Sequence, residues 1–330
     1  MTSKHTCESQ RGMTLVELLV ALAIGSFLII GAVQIYNQSR QAYVINDSIA
    51  RVQETAQFAM DTIEADLRMA SNWGRTSRSD AVDGRSTTAN VNPNALSAVT
   101  NGCGADWAYD LGNPIEGDNN GYTLTCLPPT APTALAAQAN SDTITIRRGA
   151  VPTAALDATR LQVISTLNAG QLIDDGTRPA GFDPLNSAVH NLIVHSYYVA
   201  DDSNLIPGTP ALRRHTLGTA GGNPASVDME IAPGVENLQI QFGVDVDRDN
   251  AVDRYVNPQD PIITPGSATF VPGSRILSAR IWLVVRSINR EIGIVDDTDY
   301  EPGDVDLGVQ NDDFRRLMVS KTILLRNTRT

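Results

Sequence analysis

The chain has 330 residues, enough for one large or two modest domains around a buried core. It carries 37 Asp and Glu against 25 Lys and Arg, a formal net charge of −12. Its arginine pairs (Arg147–Arg148, Arg213–Arg214, Arg315–Arg316) are far apart, so the composition argues against a basic nucleic-acid surface, and no nucleic acid is expected as a partner.

The first twelve residues, MTSKHTCESQRG, are polar, carry Lys4, Cys7 and Arg11, and end at Gly12. From Met13 to Ile35 the sequence is almost wholly apolar, and these 23 residues reach about 35 Å as a helix, enough to cross a bilayer core. The basic leader places the N-terminal side in the cytoplasm. An ordinary secretory signal is the first alternative. Against it stand the length of the run, the lack of a small-x-small cleavage site and the helical pattern that continues beyond. One carboxylate, Glu17, interrupts the apolar run. A charge there costs about 2.5–3.5 kcal/mol on insertion scales, so it needs a partner, unless it simply snorkels to the headgroups.

Beyond the membrane segment, Ile45, Ile49, Val52, Ala56, Ala59, Ile63, Leu67 and Ala70 recur in steps of three and four. This spacing predicts an amphipathic helix over 36–74, with its stop at Asn72-Trp73-Gly74. Residues 75–140 are rich in Ser, Thr, Asn, Gly and Pro and read as a long ordered loop region, with a short strand at Tyr122–Cys126. Cys103 and Cys126 both lie there. They read as a disulfide in an oxidising compartment, the alternative being two buried thiols. Strand candidates follow: SDTITIRR, RLQVIST, NLIVHSYYVA, PALRRHTL, VENLQIQFGVDVD, ILSARIWLVVRS and RLMVSKTILLRN. The run in IWLVVRS suggests a strand covered on both faces. A long helix followed by many strands predicts an α+β fold, with an antiparallel sheet wrapped against the helix.

The segment DVDRDNAVD is the one metal-like pattern. Asp245, Asp247, Asp249, the Ala251 carbonyl and Asp253 stand at positions 1, 3, 5, 7 and 9 of an EF-hand-like loop. Position 6 is Asn250 rather than Gly, and position 12 is Val256 rather than a bidentate Glu, so a solvated acidic turn competes with a structural Ca²⁺ site. No other cofactor is expected. The acidic stretch Asp296–Asp306 reads as a solvated loop. His190 and His195 are five apart on a strand, hence on opposite faces, and with His215 they suggest packing rather than metal binding. No nucleophile elbow, H-E-x-x-H or Walker loop is present, so the chain reads as a non-enzyme.

Residues RG followed by MTLVELLVALAI resemble the class III signal of type IV prepilins and pseudopilins. That resemblance implies cleavage by a prepilin peptidase between Gly12 and Met13, N-methylation of Met13, and pairing of Glu17 with the N-terminal amine of a neighbouring subunit. The order of DLRMA, SDTITIRR, HSYYVADDS, PALRR, GVENLQIQFGVDVDRDNAVDRY, IWLVVRS and TILLRN is similar to minor pilins of the PilW family. Relatives often carry a glycine-cysteine pair soon after the helix, whereas Cys103 comes later here, so no disulfide connectivity is carried over. The family implies a type IV pilin-like architecture: leader 1–12, transmembrane segment 13–35, amphipathic continuation 36–74 and a β-rich globular domain 75–330. It implies an inner-membrane protein with its C-terminal domain in the periplasm, later incorporated into a surface pilus. The implied partners are other minor pilins, the major pilin, the inner-membrane assembly machinery and a tip adhesin, with a role in pilus initiation or a tip complex. Two alternatives remain: a type II secretion pseudopilin of the J kind, and a tip-exposed module for adhesion or DNA binding.

Overall fold

The computed structural model describes residues 12–84, 96, 98–104, 106–126, 136–291 and 293–329. The leader residues Lys4, Cys7 and Arg11 lie outside the described residues. Among the described residues one α-helix, α1, runs Leu15–Met69. The chain divides into two units, Met1–Ala50 and Arg51–Thr330. In the first, the apolar side chains from Leu15 to Ile35 are exposed, and this part of the helix is long and apolar enough to cross a membrane.

In the second unit the end of α1 becomes part of the core. Val52, Ala56, Ala59, Met60, Ile63 and Leu67 are buried. Their spacing of three and four residues sets them on one side of the helix. The helix stops at Met69, five residues short of the predicted end. The reason is local: the Ser71 N–H donates to the Arg147 carbonyl at 3.2 Å, and Ser71 takes φ +62°, so the chain turns onto a strand before Gly74 is reached. Gly74 itself has φ +94°, and a Cβ there would fall 2.3 Å from the His190 ring.

Among the described residues, fourteen strands follow. They are β1 (Val82–Asp83), β2 (Ile115–Asp118), β3 (Thr143–Gly149), β4 (Gln162–Ser165), β5 (Gly170–Ile173), β6 (Ala188–Ala200) and β7 (Ala211–Ala220). Then come β8 (Asn223–Pro233), β9 (Val235–Asp245), β10 (Arg254–Val256), β11 (Arg275–Arg286), β12 (Asp299–Tyr300), β13 (Gly308–Val309) and β14 (Arg316–Leu324). The larger sheet has the path β1-β5-β4-β6-β3-β2, with β7 paired to β6 and β8 to β7. Its pairs are antiparallel except β1–β5. A four-stranded antiparallel sheet has the order β10-β9-β11-β14, and β12 and β13 form a short pair.

The main core joins the helix stripe to both larger sheets: Ile63 and Leu67 share a cluster with Ile144, Tyr197 and Leu212 and with Ile240, Phe242, Ile281 and Ile323. A second cluster gathers Trp73, Trp107, Leu161, Val163, Leu172 and Val194 around Cys103 and Cys126. The architecture is α+β, as the sequence pattern indicates. The short strand lies at Ile115–Asp118 rather than at Tyr122–Cys126, which is irregular. Strand β8 was not among the sequence candidates. It is joined to β7 by the two-residue turn Gly221–Gly222, both at positive φ, with Ala220 paired to Asn223.

Ile63 is fully buried where the helix meets both sheets. Ile63→Ala is expected to lower unfolding stability by about 2–5 kcal/mol, read from denaturant melts of the full chain in detergent, whereas exposed Phe58→Ala is expected to change it by less than about 1 kcal/mol.

Candidate functional site

Gly12, Met13 and Thr14 precede the helix in non-helical conformation and are exposed. Thr14 caps α1. Its N–H and its hydroxyl both donate to Glu17 Oε2 at 2.9 Å, and the Glu17 N–H points back to Thr14 Oγ1 at 3.3 Å. This is a reciprocal capping box, and it accounts for a carboxylate at the third helical position without a partner chain. Both bonds fall on Oε2, so Oε1 takes no part in the cap.

Where α1 enters the globular unit, its polar border is fastened by residues from distant strands. Asp66 is buried and accepts from His195 Nδ1 and the Tyr197 hydroxyl, each at 2.5 Å, and from Arg148 at 2.7 and 3.0 Å. An ionised carboxylate only accepts, so Nδ1 of His195 carries the proton. Burial alone would raise Asp66, but the bonds and charges from His195, Tyr197 and Arg148 outweigh it and hold the carboxyl well below its ordinary value. Burial likewise pushes His195 below the usual histidine value, with Asp66 pulling the other way. On the neighbouring helix turn, Glu64 and Asp61 flank Lys321 of β14, and Asn327 donates to the Ala70 carbonyl at 3.2 Å.

The acidic segment is the connection between β9 and β10. Side-chain oxygens of Asp245, Asp247 and Asp253 lie within 4.8 Å of one another, whereas Asp249 stands outside that group. These carboxylates are already used to shape the turn. Asp245 accepts from the Arg248 and Asn250 N–H groups at 2.6 and 3.0 Å, Asp253 from Val246 at 2.7 Å, and Asp249 from Ala251 at 2.7 Å. Arg248 and Asn250 take φ +69° and +66°. Val256 is buried in β10, so the EF-hand position that would close a calcium shell points into the core. Three carboxylates fit a hard cation in kind but supply only part of the six to eight oxygens that calcium takes.

Cys103 and Cys126 are joined by a disulfide. A ring nitrogen of His215 lies within 4.8 Å of both sulfurs, but sulfurs bonded to each other are not thiolate ligands. His215 instead stacks on Tyr198 at 5.1 Å and bonds the Tyr122 hydroxyl at 2.9 Å. His190 bonds the Ala150 carbonyl at 2.7 Å. The three histidines therefore sit in three separate packing roles.

Sequence reasoning missed a further set of acids, because they come from separate segments. Asp118, Asp142 and Asp304 gather where the β2–β3 connection meets β9 and the loop after β12. Burial, with the charges of Asp304 and Asp118, pushes the Asp142 carboxyl up to about 7.

Residues 196–327 match the family model of the type IV pilus-assembly protein W, and residues 8–33 match the prokaryotic N-terminal methylation motif. The W match begins at Ser196 in the middle of β6 and runs past the end of β14. No curated protein and no solved structure matches the chain.

Asp66→Ala would leave Arg148 and His195 buried without their acceptor and is expected to cost about 3–5 kcal/mol in denaturant unfolding. A depressed folded-state value means that the ionised clamp stabilises above the ordinary carboxylate value of 3.8 and that this contribution is lost as pH falls below it. Thermal melts from neutral pH to pH about 2.5 are expected to show that loss in the wild type, with a shallower acid limb in Asp66→Asn.

Proposed function

Starting from a PilW-family pilin with a class III signal, we propose that this chain helps to initiate the type IV pilus as one member of a minor-pilin complex at the filament tip. The coarser statement, a membrane-anchored, type IV pilus-related minor pilin, rests on both family matches and on the long apolar helix. The pilin family's role is structural, and the chain is read as a non-enzyme.

The observation that carries the proposal is the change in character along one continuous helix. From Leu15 to Ile35 every apolar side chain is exposed, for example Leu15 at 80 % and Phe27 at 79 %, while Ile63 and Leu67 near the other end are fully buried. Apolar surface left open at one end needs lipid or other helices, and a filament supplies the second. Before assembly the segment anchors the chain in the inner membrane, with the β-rich unit in the periplasm; after assembly the same surface packs against other pilins.

The cap of α1 suits both states. Peptidase cleavage between Gly12 and Met13 acts on exposed, non-helical backbone. In the membrane, Thr14 keeps Glu17 from being a bare carboxylate. On docking, Oε1, which the cap does not use, receives the methylated amine of a neighbouring Met13, and the pairing sets the register of the two helices.

The test is genetic and biochemical. Deleting the gene is expected to remove surface pili, with partial recovery in a retraction-deficient background. Glu17→Ala is expected to remain in the membrane fraction but to be absent from sheared filaments. Normal incorporation of that variant, or normal pili in both deletion strains, would overturn the proposal.

A further inference from the structure

One face of the β10-β9-β11-β14 sheet belongs to the core, and the other carries a different set of side chains. Ala279, Ile281 and Leu283 of β11 lie in the core. Strand alternation therefore sets Arg280 and Trp282 on the opposite face, beside Thr322 and Ser320 of β14. Val256 of β10 is also in the core, so Tyr255 stands on the outer face, paired with Gly243 of β9. A Cβ on Gly243 would fall 2.2 Å from Ser278 Oγ and 3.1 Å from the Tyr255 ring. The glycine thus leaves the space in which the ring lies across β9. Ser278 donates to the Tyr255 hydroxyl at 3.4 Å, and the Arg280 guanidinium stacks 4.0 Å from the ring centre. The Trp282 ring centre is 5.7 Å from the same guanidinium.

Two groups on this face are held in place but not used up. Arg147, Arg148, Arg213, Arg315 and Arg316 are each spent on a carboxylate. Arg280 is not. Among the described residues it forms no ion pair, and its one hydrogen bond runs from Nε to Thr322 Oγ1 at 3.4 Å. The other two tryptophans, Trp73 and Trp107, are buried, with their ring N–H groups bonded to Ser79 at 3.1 Å and Ser196 at 2.7 Å. Trp282 is half-buried, and among the described residues its ring N–H has no partner.

We propose that this face binds an acidic sugar, a pyranose that carries a carboxylate. The Arg280 fork takes the carboxylate through two parallel hydrogen bonds, and stacking on Tyr255 has already fixed its plane. The Trp282 ring takes the C–H side of the sugar, and its N–H, with the exposed hydroxyls of Ser320 and Thr322, serves the sugar hydroxyls. A pyranose needs this combination, an aromatic plane bordered by donors and acceptors. An extended peptide fits less well: β9 and β11 are paired along both edges, so no backbone is open to a further strand there. An acidic polysaccharide would present the same ring and carboxylate many times over.

The probe is methyl β-D-glucuronide, titrated into the full chain in a detergent without a sugar headgroup and followed by calorimetry and tryptophan fluorescence. A single ring of this size is expected to bind with a dissociation constant of about 1 mM. Methyl β-D-glucoside, the same ring without the carboxylate, is expected to bind about tenfold more weakly. R280Q should lose at least about tenfold for the glucuronide and change the glucoside by less than about twofold. W282A should weaken both sugars. Circular dichroism and Tm check that each variant folds, and R280K, which keeps the charge without the planar fork, is a second variant expected to weaken the glucuronide alone. No binding of the glucuronide up to about 50 mM would overturn the proposal. So would binding that R280Q and W282A leave unchanged, which would place the sugar elsewhere. N-acetylglutamate binding as tightly as the glucuronide would also overturn it, since the face would then suit a partner protein's carboxylate equally well.

Discussion

The Asp66 carboxylate is the contact on which the globular unit is organised. It sits near the end of α1, three residues before Met69, in the stretch of the helix that is buried in the globular unit. Hydrophobic burial of Ala59, Ile63 and Leu67 is non-directional and would tolerate a helix rotated or slid along the sheets. The forked Arg148, the His195 ring and the Tyr197 hydroxyl accept only one placement of Asp66, since each bond has a direction. Lys321 adds a second point one turn away, from the other sheet. Rotation and register of the helix are thus set by polar contacts while the apolar stripe supplies the attraction.

Much of this fold was legible in the chain because its helix and several strands obey simple periods. The stripe from Val52 to Ala70 has the helical spacing, β9 and β14 lie within the segments that read as strands, and β6 and β11 begin three residues and one residue before theirs. The covered character of IWLVVRS is real as well: Leu283, Val284 and Val285 are all fully buried. Strand β8 failed for a physical reason. Its alternation is inverted, with Val227 and Met229 exposed and Asp228 and Glu230 turned inward to Arg213, so an apolar-in pattern finds nothing there. Asp66 was equally silent, because its partners lie 82, 129 and 131 residues further on. Glu17 was singled out as an oddity, but the T-x-x-E cap that holds it was there to be read in TLVE.

Charge in the interior is allotted in two ways. Arginine holds several carboxylates of the interior at fixed geometry, as at Arg213 and Arg316, which are each bonded to more than one acid. Its planar fork suits that task, and the ammonium of lysine does not. Elsewhere carboxylates replace backbone partners in turns: Asp245 closes the β9–β10 connection by taking two N–H groups that no strand could satisfy. The same residue type thus serves as an ion in one place and as a turn former in another, which is why a run of aspartates is a poor guide to metal binding.

This preference for arginine has a practical side. Only two of the 25 basic residues are lysines, Lys4 and Lys321. Beyond Gly12, Lys321 is the sole side-chain amine, and it is engaged between Asp61 and Glu64. Amine-directed cross-linkers, fluorophores and immobilisation chemistries would find almost nothing to react with, and what they found would be the fastening of helix to strand. Any neighbour of this chain would have to be mapped through its abundant carboxylates or through introduced cysteines.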